Sequence, residues 1–288
     1  MKLFVQIPAY RDPELSTTLL GLYGCADHPS DIRTRVLWQR GEESLDRDVL
    51  ALPNLEIIET QYLDSAGSNW ARRQLQDSWD GEPFTLFLDS HHRFSRGWDT
   101  TTLDMYRSCL RKSDKPLLTG YLPSYDPVTD PGGRKNEPTK LYPYEREAGV
   151  LTRVTSYPIP FWKNAAEPIE GVFVSLHFLF AAGNLNAEIR LDPDIYYLRD
   201  EVVASVQAFT WGYDSYHPHR VFAWHCYDRR SRIPHWVGRS DWYVNQDATL
   251  RKMRMHFTDQ STAPAGHYGN ARSVRDFEDL AMIRLVAS

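Results

Sequence analysis

The segment FTLFLDSHHRF, residues 84–94, holds the side chains best suited to chemistry. A buried apolar run leads directly into Asp89, Ser90 and His91. Side chains alternate along an extended chain, so Asp89 and His91 project to the same side. A carboxylate and an imidazole so placed can both ligate a divalent cation, and mixed oxygen and nitrogen ligation suits Mn²⁺. The same residues would equally make a turn in which Asp89 caps the next element and the histidines lie exposed. Both readings stand at this point. His225 follows the apolar run Val221-Phe222-Ala223-Trp224, at another strand end, where a histidine is more often structural than a ligand. Asp200 and Glu201 open an amphipathic helix, a position where acids ordinarily answer the helix dipole.

These residues need elements to hold them. Leu3 to Ile7 reads as a buried strand ending at Pro8, with further strands at 34–39, 55–62, 84–88 and 116–121. Asp12-Pro13-Glu14 reads as a helix start, with Asp12 as cap and Leu15, Leu19, Leu22 and Tyr23 on the buried face. Helices are also expected near 68–79, 98–111, 200–211, 246–256 and 274–284, and one more strand at 220–224. Strands alternating with helices imply an open, largely parallel α/β sheet, whose ligands sit beyond the carboxyl ends of the strands. Residues 123–162 are crowded with Pro, Tyr, Asp and Gly and read as a long irregular insertion. No linker separates independent domains.

Several classes are disfavoured. No GxGxxG follows the first strand, and no GxxxxGK[ST], GxSxG or HExxH occurs. With 33 Lys and Arg against 38 Asp and Glu, the net charge of −5 suits no nucleic-acid partner. Cys25, Cys109 and Cys226 form no CxxC pair, which points to a reducing, cytoplasmic location. The apolar start is broken by Gln6, Pro8 and Arg11, unlike a signal peptide. The longest apolar run, Phe178 to Ala182, is far short of the ~20 residues of a membrane span.

Taken together, YRDPEL near the start, GSNWAR at 67–72, DSHHRF, RDE followed by a helix and WGYD, and the later His225 resemble one family. It is the GlcNAc-transferase family whose best-known members glycosylate hydroxyproline on a cytosolic protein, with the GT-A fold. The tail YGNARSVRDFE, residues 268–278, is similar to that family's C-terminal motif. The DSH block also resembles the DxH metal motif of polypeptide GalNAc-transferases, in which a later histidine completes the site. His92 and Arg199 depart from the pattern, standing where the family often has an apolar residue and a glycine.

The resemblance implies one GT-A-like domain over residues 1–288: a nucleotide-sugar half at 1–121, an acceptor-side and metal-completing half at 122–230, and a C-terminal extension at 231–288. It implies a UDP-sugar donor, with GlcNAc as the sugar, Mn²⁺ or Mg²⁺ as cofactor, and retention of anomeric configuration. Asp89, His91 and His225 would be the metal ligands. Ala9, Tyr10, Arg11, Gly67, Arg72 and Ser90 would bind the donor, and Asp200 and Glu201 would face the sugar or acceptor. The acceptor would be a hydroxyl on a peptide, a protein or a small molecule, met by the aromatics of 123–162. Two other classes remain: a non-catalytic nucleotide-sugar or glycan-binding protein of the same fold, against which the intact Asp89, His91 and His225 set argues, and a metal-dependent phosphate-ester hydrolase, which would call for more clustered carboxylates.

Overall fold

Leu3, Val5, Ile7 and Ala9 alternate with the other residues of the first strand and are fully buried, because this strand lies in the middle of the sheet. The computed structural model describes residues 2–196, 199–230, 232–237 and 242–287. In chain order the elements are β1 (Leu3–Tyr10), α1 (Leu15–Gly24), β2 (Ile32–Arg40), β3 (Leu55–Gln61), α2 (Ser68–Gln76), β4 (Phe84–Leu88), β5 (His92–Phe94) and α3 (Trp98–Cys109). There follow β6 (Pro116–Thr119), β7 (Thr139–Glu147), β8 (Val150–Pro158), β9 (Ile169–Glu170), β10 (Phe178–Ala182), α4 (Leu185–Glu188) and α5 (Asp200–Thr210). The chain ends with β11 (Asp214–His217), β12 (Ala223–His225), α6 (Trp242–Thr258) and α7 (Val274–Ala281).

Among the described residues, one sheet runs in the order β3-β2-β1-β4-β10-β6-β11-β9. β1, β2, β3, β4, β6 and β11 share one direction, and β10 and β9 oppose it. The expected α/β architecture with a largely parallel sheet and flanking helices is therefore present. β10 slots antiparallel between β4 and β6, pairing Phe178 with Leu88 and Leu179 with Thr119. α1 buries Leu15, Leu19, Leu22 and Tyr23 in the core under β1, as its spacing requires. A second core joins α5 to β8, α6 and α7 through Val202, Val206, Val150, Met253 and Phe277. Phe277 is fully buried there, a contribution of about 2–3 kcal/mol that fastens the C-terminal helices to the sheet half carrying Asp200.

Three expectations are corrected. Residues 123–162 are not irregular throughout, since β7 and β8 form an antiparallel hairpin from Thr139↔Pro158 to Glu147↔Val150. One face of its first strand is exposed, so its tyrosines and charges read as loop composition, and its turn is carried by Ala148 and Gly149 at positive φ. The strand expected at 220–224 is shifted to Ala223–His225, because it forms where it can pair with β5. Asp12 makes no cap for α1; the helix begins at Leu15 behind Glu14, and only the Glu14 N–H donates to Asp12 Oδ1, at 2.9 Å. Helix limits elsewhere move by a few residues, and no helix among the described residues is long and apolar enough to cross a membrane.

Candidate active site

The carboxyl ends of β1, β2 and β4 open onto a cleft of about 400 Å³, closed on the far side by the start of α5 and by the segment after β12. β4 delivers Asp89, the next residues deliver Ser90 and His91, and β12 delivers His225 through its ladder with β5, in which His225 faces His92. The His225 backbone is pinned a second time, donating to the Pro123 carbonyl and accepting from the Tyr125 N–H. Asp89, His91 and His225 each place a ligand atom within 4.8 Å of the others. Asp89 Oδ2 lies 3.7 Å from His91 Nε2 and 3.4 Å from His225 Nε2. A divalent ion at roughly 2.0–2.3 Å from each would draw the three ligand atoms closer together. One carboxylate and two imidazoles fit Mn²⁺ or Mg²⁺ chemistry, with the imidazoles favouring the transition ion.

The surroundings keep these groups in ligating form. Burial alone would raise the Asp89 carboxyl, but the His225 hydrogen bond and the charge of Arg72 hold it well below the usual carboxylate range. Burial, with His177 and His91 nearby, holds His225 well below the ordinary histidine value and therefore neutral. His91 Nδ1–H donates to Asp12 Oδ2 at 2.7 Å, which leaves the lone pair on Nε2, toward Asp89. Burial would raise Asp12 too, yet His91, Ser90 and Arg232 outweigh it and keep the carboxylate ionised.

Arg72 is buried and bridges two acids, donating to Asp89 Oδ1 at 2.7 Å and to Asp200 Oδ2 at 3.2 Å. Ser68 Oγ donates to the same Asp200 oxygen at 3.3 Å. Burial raises Asp200, and Arg72 opposes that. Glu201 accepts from the Tyr121 hydroxyl and from the Leu176 N–H. Burial, reinforced by the charge of Asp200, raises its carboxyl to about 7.

Of the remaining candidates, Tyr10, Gly67 and Ser90 line the cleft. Gly67 starts α2 at φ 115°, and a Cβ there would meet the Tyr196 ring at 3.2 Å. Ser90 Oγ is spent on Asp12 Oδ2, at 2.7 Å. Ala9 and Arg11 do not reach the lining: Ala9 is in the core, and the Arg11 guanidinium lies 4.2 Å over Tyr62. His92 is fully buried and is outside the ligand set; its Nδ1–H donates to the Asp89 carbonyl at 3.0 Å.

Four side chains of the site have no counterpart in the sequence reading. Asp12 stands in the YRDP motif but was masked by its capping position. His177 stacks on His225 with ring centres 4.1 Å apart, and Tyr227 closes on the same ring at 4.4 Å. Arg232 reaches His91 from beyond β12. None of the last three sits in a run whose pattern marks chemistry.

The family model for glycosyltransferases (GlcNAc) matches residues 41–282. The chain belongs to that family. No curated protein matches the sequence. Among solved structures it is similar to S. aureus TarS 1-349 in complex with UDP, at 13% identity and TM-score 0.52, over 91% of this chain and 73% of that one. It is similar to GalNAc-T7 with UDP, GalNAc and Mn²⁺, at 13% identity and TM-score 0.62, over 99% of this chain and 55% of that one. It is also similar to the mannosyltransferase PcManGT from Pyrobaculum calidifontis in complex with GDP-Man and Mn²⁺, at 13% identity and TM-score 0.50, over 99% and 70% of the two chains. At such identity the likeness is one of fold, the GT-A fold of glycosyltransferases. Family and fold together make the chain a glycosyltransferase.

Proposed function

We propose that this glycosyltransferase moves GlcNAc from UDP-GlcNAc to a hydroxyl of a peptide, protein or small molecule, with retention at the anomeric carbon. The observation that carries the reading is the convergence of Asp89, His91 and His225 at the carboxyl edge of the parallel strands, in a chain of the GlcNAc family. Bound by these three residues, Mn²⁺ or Mg²⁺ would supply charge neutralisation for the departing nucleoside diphosphate. UDP and Mn²⁺ accompany similar folds in the TarS and GalNAc-T7 structures, which supports the choice of donor and ion.

The chain's own groups divide the remaining work. Tyr10, Gly67 and Ser90 shape the donor side. Arg72 fixes the Asp89 carboxylate and brings a buried positive charge to the side where the sugar and diphosphate lie. Asp200 and Glu201 face the sugar and acceptor hydroxyls. Neither is poised as an inverting base: Asp200 is held by Arg72 and Ser68, while Glu201 is largely neutral below pH 7 and bonded to Tyr121. Residues 1–121 thus serve the donor, 122–230 the acceptor and the last metal ligand, and 231–288 act as a C-terminal brace. The three unpaired cysteines support a cytoplasmic setting.

The test is UDP or GDP release from a panel of nucleotide sugars, with and without Mn²⁺, by the natural protein and by Asp89→Ala. Mn²⁺-dependent turnover of UDP-GlcNAc that is lost in the folded variant is expected. Full turnover in excess chelator, or equal use of GDP-sugars, overturns the reading.

A further inference from the structure

Leu15, Leu19 and Leu22 form the buried face of α1, and Thr18 lies in the middle of that face, itself fully buried. A hydroxyl in such a place is costly unless it finds partners. A helical threonine can satisfy its hydroxyl on the carbonyl one turn back. Here the Glu14 carbonyl accepts the Thr18 N–H, and the hydroxyl is spent 72 residues away. It donates to the Ser90 carbonyl at 2.8 Å and accepts from the His92 N–H at 2.9 Å. The His92 carbonyl lies farther off, at 3.3 Å, and a hydroxyl has one hydrogen to give.

The two groups it binds belong to the peptide units on either side of His91. β4 ends at Leu88 and β5 begins at His92, so Asp89, Ser90 and His91 run between the strands without belonging to either. Buried backbone groups in such a stretch need partners from elsewhere. Thr18 satisfies two of them with one oxygen, and the Cys226 N–H donates to the His91 carbonyl at 3.1 Å. Peptide units are planar, so fastening the one before and the one after His91 fixes its φ and ψ, and with them the direction in which its side chain leaves the chain. Asp12, just ahead of the same helix, holds the His91 ring through Nδ1. The α1 region thus fixes one residue twice, through its backbone and through its ring.

We propose that Thr18 is a positioning residue for the metal site, its hydroxyl holding the His91 backbone so that Nε2 is presented beside Asp89. Without that hydroxyl the turn samples other conformations, and the apparent affinity for the cation falls with the fraction of molecules that keep the ligating one. The inference rests on the metal reading above.

The test uses Thr18→Val, which keeps the shape and loses the hydroxyl, and Thr18→Ser, which keeps the hydroxyl and loses a methyl group. Thr18→Ala, which leaves the turn room to relax, takes the place of the valine variant should that one not fold. Folding is checked by circular dichroism. Mn²⁺ affinity is measured by electron paramagnetic resonance with UDP present, and amide hydrogen exchange over residues 89–94 by mass spectrometry without metal. The valine variant should bind Mn²⁺ about tenfold more weakly than the natural protein and exchange faster over 89–94, while the serine variant stays within about twofold on affinity and exchanges like the natural protein. A role in packing alone predicts a different order, since it is serine that leaves a void. A folded valine or alanine variant that binds Mn²⁺ within about twofold of the natural protein overturns the proposal, and so does a serine variant as weak as the valine one. If the natural protein binds no Mn²⁺ even with UDP present, the metal reading fails and this role of Thr18 with it; if it binds and the variants do not shift, only the role of Thr18 fails.

Discussion

Asp12→Asn is the sharpest probe of how the site is built. Asp12 is 4% exposed, and its carboxylate accepts from the Glu14 N–H on one oxygen and from His91 Nδ1 and Ser90 Oγ on the other. Asparagine has nearly the same shape but one acceptor oxygen. If that oxygen stays with Glu14, an NH₂ group faces His91 Nδ1. The ring then does better as the other tautomer, with its lone pair on Nδ1 and a proton on Nε2, and cannot ligate through Nε2. Removing such an outer partner typically costs 10–100-fold in metal affinity, or about 1.4–2.7 kcal/mol. Two donors lose their shared oxygen here, so the upper part of that range is expected. Mn²⁺ titration in the presence of UDP should show Kd raised by about 30–100-fold, and saturating Mn²⁺ should restore much of the lost turnover. A folded variant that binds Mn²⁺ within twofold of the natural protein would refute the claim that Asp12 sets the His91 tautomer.

Glu201→Gln should change how stability depends on pH. The folded-state value of about 7 lies above the ordinary 4.5, so the stability tied to Glu201 is full below 4.5 and is lost as pH rises through 7. At about 1.4 kcal/mol per unit the loss approaches about 3 kcal/mol. The melting temperature of the glutamine variant should pull ahead across that window and hold its lead above it, and a gap independent of pH would count against the shift. Gly183→Ala should cost about 3 kcal/mol in denaturant unfolding, because its Cβ would lie 1.8 Å from the Glu82 carbonyl oxygen; a loss under 1 kcal/mol would show that this contact yields easily. Tyr144→Ala and Trp162→Ala should raise the acceptor KM while leaving acceptor-free UDP release nearly unchanged. Equal damage to both reactions would deny residues 123–162 a selective acceptor role.

Much of the framework is written in local pattern. β1 and β4 are apolar runs because both lie inside the sheet, and α1 and α5 show their buried faces at helical spacing. The DSH sequence carries two of the three proposed ligands within three residues. What local pattern hides is anything made by long-range pairing. β7 and β8 expose Tyr142, Tyr144 and Tyr157, so their composition resembles a loop until the two strands are laid side by side. Tyr125, grouped with those aromatics in sequence, is buried instead, and its hydroxyl donates to Glu14. Asp12 carries a plausible local role as a cap, while its actual partner, His91, lies 79 residues on. The resemblance implies a donor-side role for Ala9 and Arg11, but strand alternation sends only their neighbours Pro8 and Tyr10 into the cleft.

The short ladder between β5 and β12 also bears on how this chain can change over evolutionary time. Asp89 and His225 are 136 residues apart, yet what places the histidine is a register of three residue pairs. Insertions between the two strands, in the hairpin for instance, can lengthen or shorten the chain without moving the imidazole. A single residue added within 223–225 would instead turn His225 to the opposite face of the ladder. Gene-level drift in this protein is thus permitted by the 128 residues between the strands and forbidden by the three that pair. Relatives that differ widely in length through this region can be expected to keep the same histidine opposite the same acid.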